Sequence, residues 1–315
     1  MTGAVYVTGA AGFIGSHLVD RLLEQGRSVV GMDNLKLGRR ANLEKALASP
    51  RFDFIEGDVN DVAAATERLR KHRFGPIGEV WHLAANSDIQ AGAADPEIDL
   101  RDTFLTTHST LRLMEALSIP ALVFASTSAI YGELDVPLRE DTGPLFPASR
   151  YGAMKLASEA AIAAATQMFV ERAWIFRFPN VIGPRATHGV IFDFMAKLRK
   201  DPSRLEVLGD GKQDKPYLYV HELIDAMFLA REKSGGAINC FNVSGDSSTT
   251  VRYIAERVVA SAAPGARILY GTADRGWIGD VPRFRYSTDR IQALGWRPRM
   301  SSNEAVDRTV GELCW

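Results

Sequence analysis

The sequence predicts an α/β protein in which helices cover both faces of a parallel sheet. Up to Asn180, short apolar runs alternate with longer segments of helical periodicity, the pattern of successive βαβ units. The apolar runs are nearly continuous, as in strands that are buried on both faces. The expected strands are Ala4–Thr8, Ser28–Asp33, Phe52–Gly57, Glu79–Ala84, Ala121–Ala125 and Ala173–Phe178. The expected helices are Gly12–Gln25, Asn60–His72, Asp99–Leu117 and Tyr151–Phe169.

After Asn180 the alternation changes, which indicates a second, smaller α/β unit. Residues 1–180 are expected to form the first domain and residues 181–315 mainly a cap over it, with 217–245 returning toward the first domain. A cleft between two such units is a common place for a ligand. The elements expected in this part are Val190–Lys200, Val220–Arg231, Cys240–Val243, Thr250–Ala262 and Asn303–Leu313.

Composition and charge exclude several classes of protein. Of the 315 residues, 46% are hydrophobic and 24% charged, as in an ordinary globular enzyme, and a net charge of -1 argues against nucleic-acid binding. The two cysteines and six histidines show no metal-ligand spacing and no disulfide framework, so no metal is expected. An apolar run begins at Ala4 and no run reaches the length of a membrane span, so we expect a cytoplasmic protein without a membrane partner.

A glycine-rich turn follows the first strand. Gly9, Gly12 and Gly15 stand between a strong strand and a strong helix, in the spacing GxxGxxG. Such glycines permit a tight turn, close approach of a pyrophosphate, and close packing of helix on strand. The helix start at Phe13 and Ile14 supplies free backbone N–H groups for phosphates. The pattern predicts a dinucleotide site in a Rossmann-type domain.

Asp33 ends the second expected strand, about 20 residues beyond the turn, where an acid can bind both ribose hydroxyls. A carboxylate there repels a 2′-phosphate, so NAD is favoured over NADP, although Arg39 and Arg40 follow closely. Asp58 and Val59 follow the third strand, where they are placed to meet the adenine ring.

A candidate catalytic pair lies on the fourth helix. Tyr151 and Lys155 are four residues apart and therefore share a helix face. A phenol has a pKa near 10, and a neighbouring ammonium together with a positive nicotinamide ring is expected to lower it, so that the phenolate can take a proton from a sugar hydroxyl. Thr127, just past the fifth strand, is expected to bond the reacting oxygen, or alternatively only its own backbone.

These residues together resemble the extended short-chain dehydrogenases/reductases, in particular the nucleotide-sugar epimerases and dehydratases. The resemblance runs almost from end to end, through TGAAGFIG, DNL, GDV, HLAA, STSAIYG, YGAMK, RFPNVIGPR, GDGKQ and GDVPRFRYSTDRIQALGW. It implies NAD as cofactor, with Thr127, Tyr151 and Lys155 catalytic. The implied cofactor-binding residues are Gly9, Gly12, Phe13, Ile14, Gly15, Asp33, Asn34, Asp58, Val59, Leu83, Ala84, Ala85, Tyr151 and Lys155.

The resemblance also implies a UDP-sugar substrate and a second copy of the chain as partner. Asn180 would contact the diphosphate region, and Lys215 and Arg275 would pair with the pyrophosphate. The helices 99–117 and 151–169 carry apolar faces that could form a homodimer, although burial against their own sheet explains much of that pattern.

The implied reaction begins with transient oxidation at C4 of a UDP-hexose or UDP-hexosamine. Ser128 and Ala129 stand where 4,6-dehydratases carry an acid–base pair, and Gly92, Pro179 and Pro216 depart from the usual sugar pocket. Within the family, the chain also resembles enzymes that carry out 5,6-dehydration of UDP-N-acetylglucosamine in antibiotic biosynthesis, and we favour that reaction on this resemblance. The alternatives are 4-epimerisation of UDP-glucose or UDP-N-acetylglucosamine and, from another class, a non-catalytic NAD-binding protein.

Overall fold

A computed structural model describes residues 3–134, 137–273 and 285–313. Its strands are β1 Ala4–Thr8, β2 Val29–Asp33, β3 Phe52–Glu56, β4 Ile77–His82, β5 Ala121–Thr127, β6 Arg172–Phe178, β7 Asn180–Ile182, β8 Arg204–Val207, β9 Asp214–Lys215, β10 Tyr217–Tyr219, β11 Ile238–Asn242, β12 Thr249–Thr250 and β13 Arg267–Tyr270. Its α-helices are α1 Phe13–Glu24, α2 Glu44–Leu47, α3 Val62–Lys71, α4 Ile89–Ala94, α5 Pro96–Asp99, α6 Thr106–Leu117, α7 Arg150–Ala165, α8 Val190–Lys200, α9 Val220–Lys233, α10 Val251–Ala262, α11 Asp289–Ala293 and α12 Ser302–Glu312.

Seven parallel strands form the central sheet, in the order β11-β6-β5-β4-β1-β2-β3. The predicted α/β fold with a doubly wound parallel sheet is therefore confirmed. The chain runs outward from β1 in one direction through β2 and β3, and in the other through β4, β5 and β6. Ligands of such sheets bind outside the carboxyl ends of the strands at this point of reversal. The seventh strand, β11, comes from the later part of the chain.

The sheet is the core of the molecule because its strands are apolar on both faces. Every residue of β1 and β2 is buried, as are six of the seven in β5. Helix α1 buries Leu18, Val19 and Leu22 against one face, as the helical spacing of these residues predicts. Because both faces of these strands are buried, polar residues such as Asp33 and Thr127 lie at the strand ends.

The later part of the chain forms a smaller layer beside the carboxyl edge of the sheet. Helices α8, α10 and α12 pack together there, and β8 pairs with β13 in parallel. Strands β7 and β10 also pair in parallel, just beyond the end of β6. Within the described ranges, none of the helices is long and apolar enough to cross a membrane.

The expected helix 99–117 differs from the observed structure. Pro96 occupies the first turn of α5, and the Asp95 side chain caps it by accepting from the Glu97 N–H at 3.0 Å. A six-residue π-helical segment, 100–105, then leads into α6. Such segments insert extra residues into a helix, so a simple periodicity of 3.6 cannot predict them. Helix α7 likewise ends at Ala165, four residues earlier than expected.

Candidate active site

A cleft of about 650 Å³ lies along the carboxyl edge of the sheet, between the sheet and the smaller layer. Six neighbouring strands each contribute residues at or just after their ends. The cleft brings together the following residues expected from the sequence: Gly9, Gly12, Phe13, Ile14, Gly15, Asp33, Asn34, Asp58, Val59, Leu83, Ala84, Ala85, Thr127, Tyr151, Lys155, Asn180 and Lys215. Arg275, the remaining expected residue, lies outside the described residues.

The glycine turn after β1 is packed so tightly that side chains would not fit. A Cβ atom on Gly15 would lie 2.0 Å from the carbonyl oxygen of Gly9. Gly9 itself has φ +69°, and a Cβ there would lie 2.8 Å from the Ala84 nitrogen. Helix α1 begins immediately after Gly12, whose lack of a side chain leaves the first N–H groups of the helix open to the cleft. This is the geometry that a pyrophosphate requires.

Asp33 is held in place at the end of β2. Its carboxylate accepts hydrogen bonds from the N–H groups of Ala11 at 3.0 Å and Leu35 at 2.8 Å. Burial raises the pKa of Asp33, and these backbone hydrogen bonds act in the opposite direction. The side chain is 9% exposed and borders the cleft, where it could accept from the two hydroxyls of a ribose. Together with the glycine turn, this residue fits NAD.

The two arginines that follow Asp33 have other partners. The Arg39 guanidinium lies 6.0 Å from the centre of the Phe192 ring, and Arg40 pairs with Glu56 at 3.7 Å. Because these two arginines already have partners, their position close to Asp33 in the sequence gives little support for binding of NADP.

Tyr151 and Lys155 lie on the first two turns of α7 and both border the cleft. The Lys155 ammonium donates to the carbonyl oxygen of Ala125 at 2.7 Å, and burial lowers the pKa of Lys155 to about 7. It lies 5.9 Å from the centre of the Tyr151 ring.

One expectation about this pair needs correction. Burial raises the pKa of Tyr151, and the carboxylate of Asp99 raises it further. Among the protein groups that act on Tyr151, only the hydrogen bond with Thr127 lowers its pKa. Because Lys155 is itself buried and directed to a backbone carbonyl, it does not offset the burial of the phenol as expected.

Thr127 makes the backbone contact that was one of its two expected roles, while its bond to a reacting oxygen stays a prediction. Its hydroxyl oxygen accepts a hydrogen bond from the Ala129 N–H at 3.1 Å, which caps the short 3₁₀ turn 128–131. The same side chain bonds to Tyr151 and borders the cleft. It is therefore positioned both by its own backbone and against the phenol.

A buried ion pair supports the catalytic helix. Glu159, one turn beyond Lys155, pairs with Arg177 of β6 at 2.6 Å and accepts from the Ser126 hydroxyl at 2.5 Å. These contacts join α7 to β5 and β6. They therefore fix Tyr151 relative to Thr127, the neighbour of Ser126.

A second buried carboxyl, which sequence reasoning missed, lies near the phenol. Asp99 is 1% exposed, and its Oδ1 accepts from the Asn86 side chain at 2.8 Å. Its Oδ2 is buried and has no hydrogen-bond partner among the described residues. A Cβ on Gly92 would lie 2.0 Å from that Oδ2. The glycine that departs from the family pattern thus makes room for this carboxyl.

Three further residues of the cleft were also missed: Asp88, His188 and Asp193. Asp88 is the third residue after HLAA, and His188 stands between RFPNVIGPR and α8. Both lie close to motifs that the sequence analysis quoted, and this proximity was the available signal. Nothing in the sequence indicates that the three meet.

Comparison with known proteins agrees with this geometry. A sequence model of the NAD dependent epimerase/dehydratase family matches residues 5–244. The chain belongs to this family. It is accordingly an enzyme of an NAD-dependent family that modifies nucleotide sugars, as expected from its motifs.

The chain resembles several members over its whole length. It is 33% identical to the UDP-glucose 4-epimerase of Mycolicibacterium smegmatis, covering 96% of both chains. A crystal structure of a UDP-galactose 4-epimerase is 35% identical, with a TM-score of 0.86 and 98% of both chains covered. The UDP-glucose 4-epimerase of Thermus thermophilus, solved with NAD, is 31% identical, with a TM-score of 0.84 and the same coverage.

Proposed function

We propose that this protein is an NAD-dependent UDP-sugar 4-epimerase. The observation that carries the proposal is the meeting of Thr127, Tyr151 and Lys155 at one end of a cleft whose other end is the glycine turn. The proposal is supported by relatives that are named 4-epimerases and match the chain from end to end. They favour epimerisation over the 5,6-dehydration that we preferred from the sequence.

The protein groups divide the work at the sugar. Bound NAD would supply reversible oxidation at C4 and a positive charge beside the phenol. Tyr151 exchanges a proton with the C4 hydroxyl, and the Thr127 hydroxyl bonds the same oxygen and holds it in line. Lys155 donates to the Ala125 carbonyl oxygen, which holds its ammonium at the border of the cleft.

Binding of the nucleotide part of the substrate is proposed for a third part of the cleft, next to the smaller layer. Asn180 lies just after β6, and Lys215 lies on β9 in the smaller layer; both border the cleft. A cation at Lys215 would pair with a diphosphate.

Exposed apolar side chains near α6, at Leu100 and Leu105, support a homodimer, which light scattering of the eluted protein would test.

Product analysis tests the reaction. Purified protein loaded with NAD is incubated with UDP-glucose, UDP-galactose and their N-acetylhexosamine counterparts. A 4-epimerase yields a product of unchanged mass with inverted C4, detected by NMR. Loss of one water in the mass spectrum would instead establish dehydration, and no conversion of any sugar would revive the non-catalytic interpretation.

Tyr151→Phe tests the assigned proton transfer. Because the hydroxyl is the only group removed, turnover should fall by a factor of roughly 10² to 10⁴, while NAD remains bound. NAD content is measured from the absorbance of cofactor released on denaturation. Full activity in this variant would refute the role of the phenol.

A further inference from the structure

Three ionisable side chains meet at the Tyr151 end of the cleft: Asp88, His188 and Asp193, here called the sugar wall. Asp88 precedes α4, Asp193 lies in the first turn of α8, and His188 lies two residues before α8. All three border the cleft, and His188 interacts electrostatically with both carboxylates. The sugar wall is therefore assembled across the cleft from both parts of the molecule.

Contacts between helices place the sugar wall beside the catalytic phenol. Arg150, adjacent to Tyr151, donates from Nη1 to the carbonyl oxygen of Ala93 at 2.8 Å. This bond ties α4, and with it Asp88, to the start of α7. On the opposite side of the cleft, β5 ends in Thr127 and pairs with β6. Strand β7 begins just after β6, and His188 follows β7. The sugar wall thus faces the reacting end of the cleft.

The segment that carries His188 is fixed at several points. Arg185 pairs with Asp20 at 2.8 Å, and the His17 ring is hydrogen-bonded to the Pro184 carbonyl oxygen at 3.0 Å. The Thr187 hydroxyl lies 3.2 Å from Nδ1 of His188. Since that nitrogen is engaged, Nε2 is the atom available to a ligand.

The charges of the sugar wall are unequal. The side chains are exposed to the cleft, and partial burial by the surrounding protein lowers the pKa of His188 and raises that of Asp193. Lys197, the cation that acts on Asp193, donates instead to the carbonyl oxygen of Glu206 at 2.8 Å. A neutral imidazole between two carboxyl groups leaves this part of the cleft rich in hydrogen-bond acceptors and negative in charge.

We propose that the sugar wall binds the hydroxyl groups of a neutral hexose and rejects a hexuronate. Sugar hydroxyls donate to Asp88 and Asp193 and bond to His188, whereas a carboxylate in the same place meets like charge. Like charges that face one another across a cleft discriminate between ligands by charge. The inference rests on the proposed function, because it assigns the sugar to the Tyr151 end.

Calorimetric titration of the NAD-loaded protein with UDP, UDP-glucose and UDP-glucuronate tests this. We expect UDP-glucose to bind about tenfold or more tightly than UDP-glucuronate. In the double variant Asp88→Asn with Asp193→Asn the ratio should approach one, while UDP binding stays unchanged. Asp88 caps α4 by accepting from the Ala91 N–H at 3.0 Å, and asparagine also caps helices well, so α4 is retained. Glu97→Gln, which neutralises an exposed carboxylate outside the cleft in the adjoining α5, is the matched control and should keep the wild-type ratio.

His188→Gln provides an independent measurement. It should weaken UDP-glucose binding about tenfold and leave UDP binding unchanged. Equal affinity of the wild type for both sugars, or loss of UDP binding in the double variant, would overturn the sugar wall. If instead UDP-glucose is selected but never epimerised, the proposed function fails and the sugar selection stands.

Discussion

The two ends of the cleft are built in different ways. At the proposed cofactor end, Gly9, Gly15 and Asp33 lie within one βαβ unit and are fixed by backbone contacts, and Gly15 and Asp33 are buried. At the proposed sugar end, Asp88, His188 and Asp193 come from distant segments and are exposed to the cleft. The positions of the residues at the first end therefore depend on packing within one βαβ unit. The positions of those at the second end depend on how the two layers pack against each other. Substitutions at the cofactor end should affect folding and NAD together, and those at the sugar end should affect only the substrate.

The largest effect is expected for Gly15→Ala. The added methyl group would overlap the Gly9 carbonyl oxygen, so the turn must open, at a cost of about 3 kcal/mol or more, and NAD binding should be lost with it. Urea unfolding and NAD titration measure both. Gly235→Ala is the control, because nothing lies within 4 Å of its Cβ, and it should change stability by less than about 0.5 kcal/mol. A stable Gly15→Ala variant that binds NAD normally would remove the contrast between the two ends.

A smaller effect is expected for Asp33→Asn. The amide keeps one acceptor but loses the negative charge, so NAD should bind about tenfold more weakly. Discrimination against NADP should decrease at the same time, because the repulsion of a 2′-phosphate is removed. Titrations with both dinucleotides measure the ratio. An unchanged ratio would show that Asp33 serves only its bonds to Ala11 and Leu35.

The smallest effect is expected for Asp99→Asn. The Asp99 carboxylate raises the pKa of Tyr151, so removing its charge should lower that pKa. The acidic limb of the pH profile of turnover should then move to lower pH, by about half a unit. Turnover from pH 5 to 9 is measured beside Glu97→Gln, which should leave the profile in place. A limb that stays fixed or moves upward would contradict the influence of Asp99.

The positions of the glycine turn and Asp33 at the ends of β1 and β2 could be predicted from the sequence because their signals are local. These two features, and the pair Tyr151/Lys155 elsewhere in the cleft, follow from spacing within single elements. The parallel sheet follows from the alternation of strands and helices, while the roles of these residues stay predictions. Asp99 and His188 could not be predicted. Asp99 lies where a π-helical segment interrupts the expected helix, and His188 meets Asp88 only through packing of the two layers. The pKa of Tyr151 also escaped prediction, because it depends on how deeply α7 is buried.

The contact between Gly92 and Asp99 also constrains how this enzyme can change. A side chain at position 92 would overlap the carboxyl of Asp99, so a serine there requires that the Asp99 side chain move or be replaced by a smaller residue. Replacing Asp99 before Gly92 is therefore expected to be tolerated better than replacing Gly92 first. Exchange of this corner with that of a relative should succeed only when both positions are transplanted together.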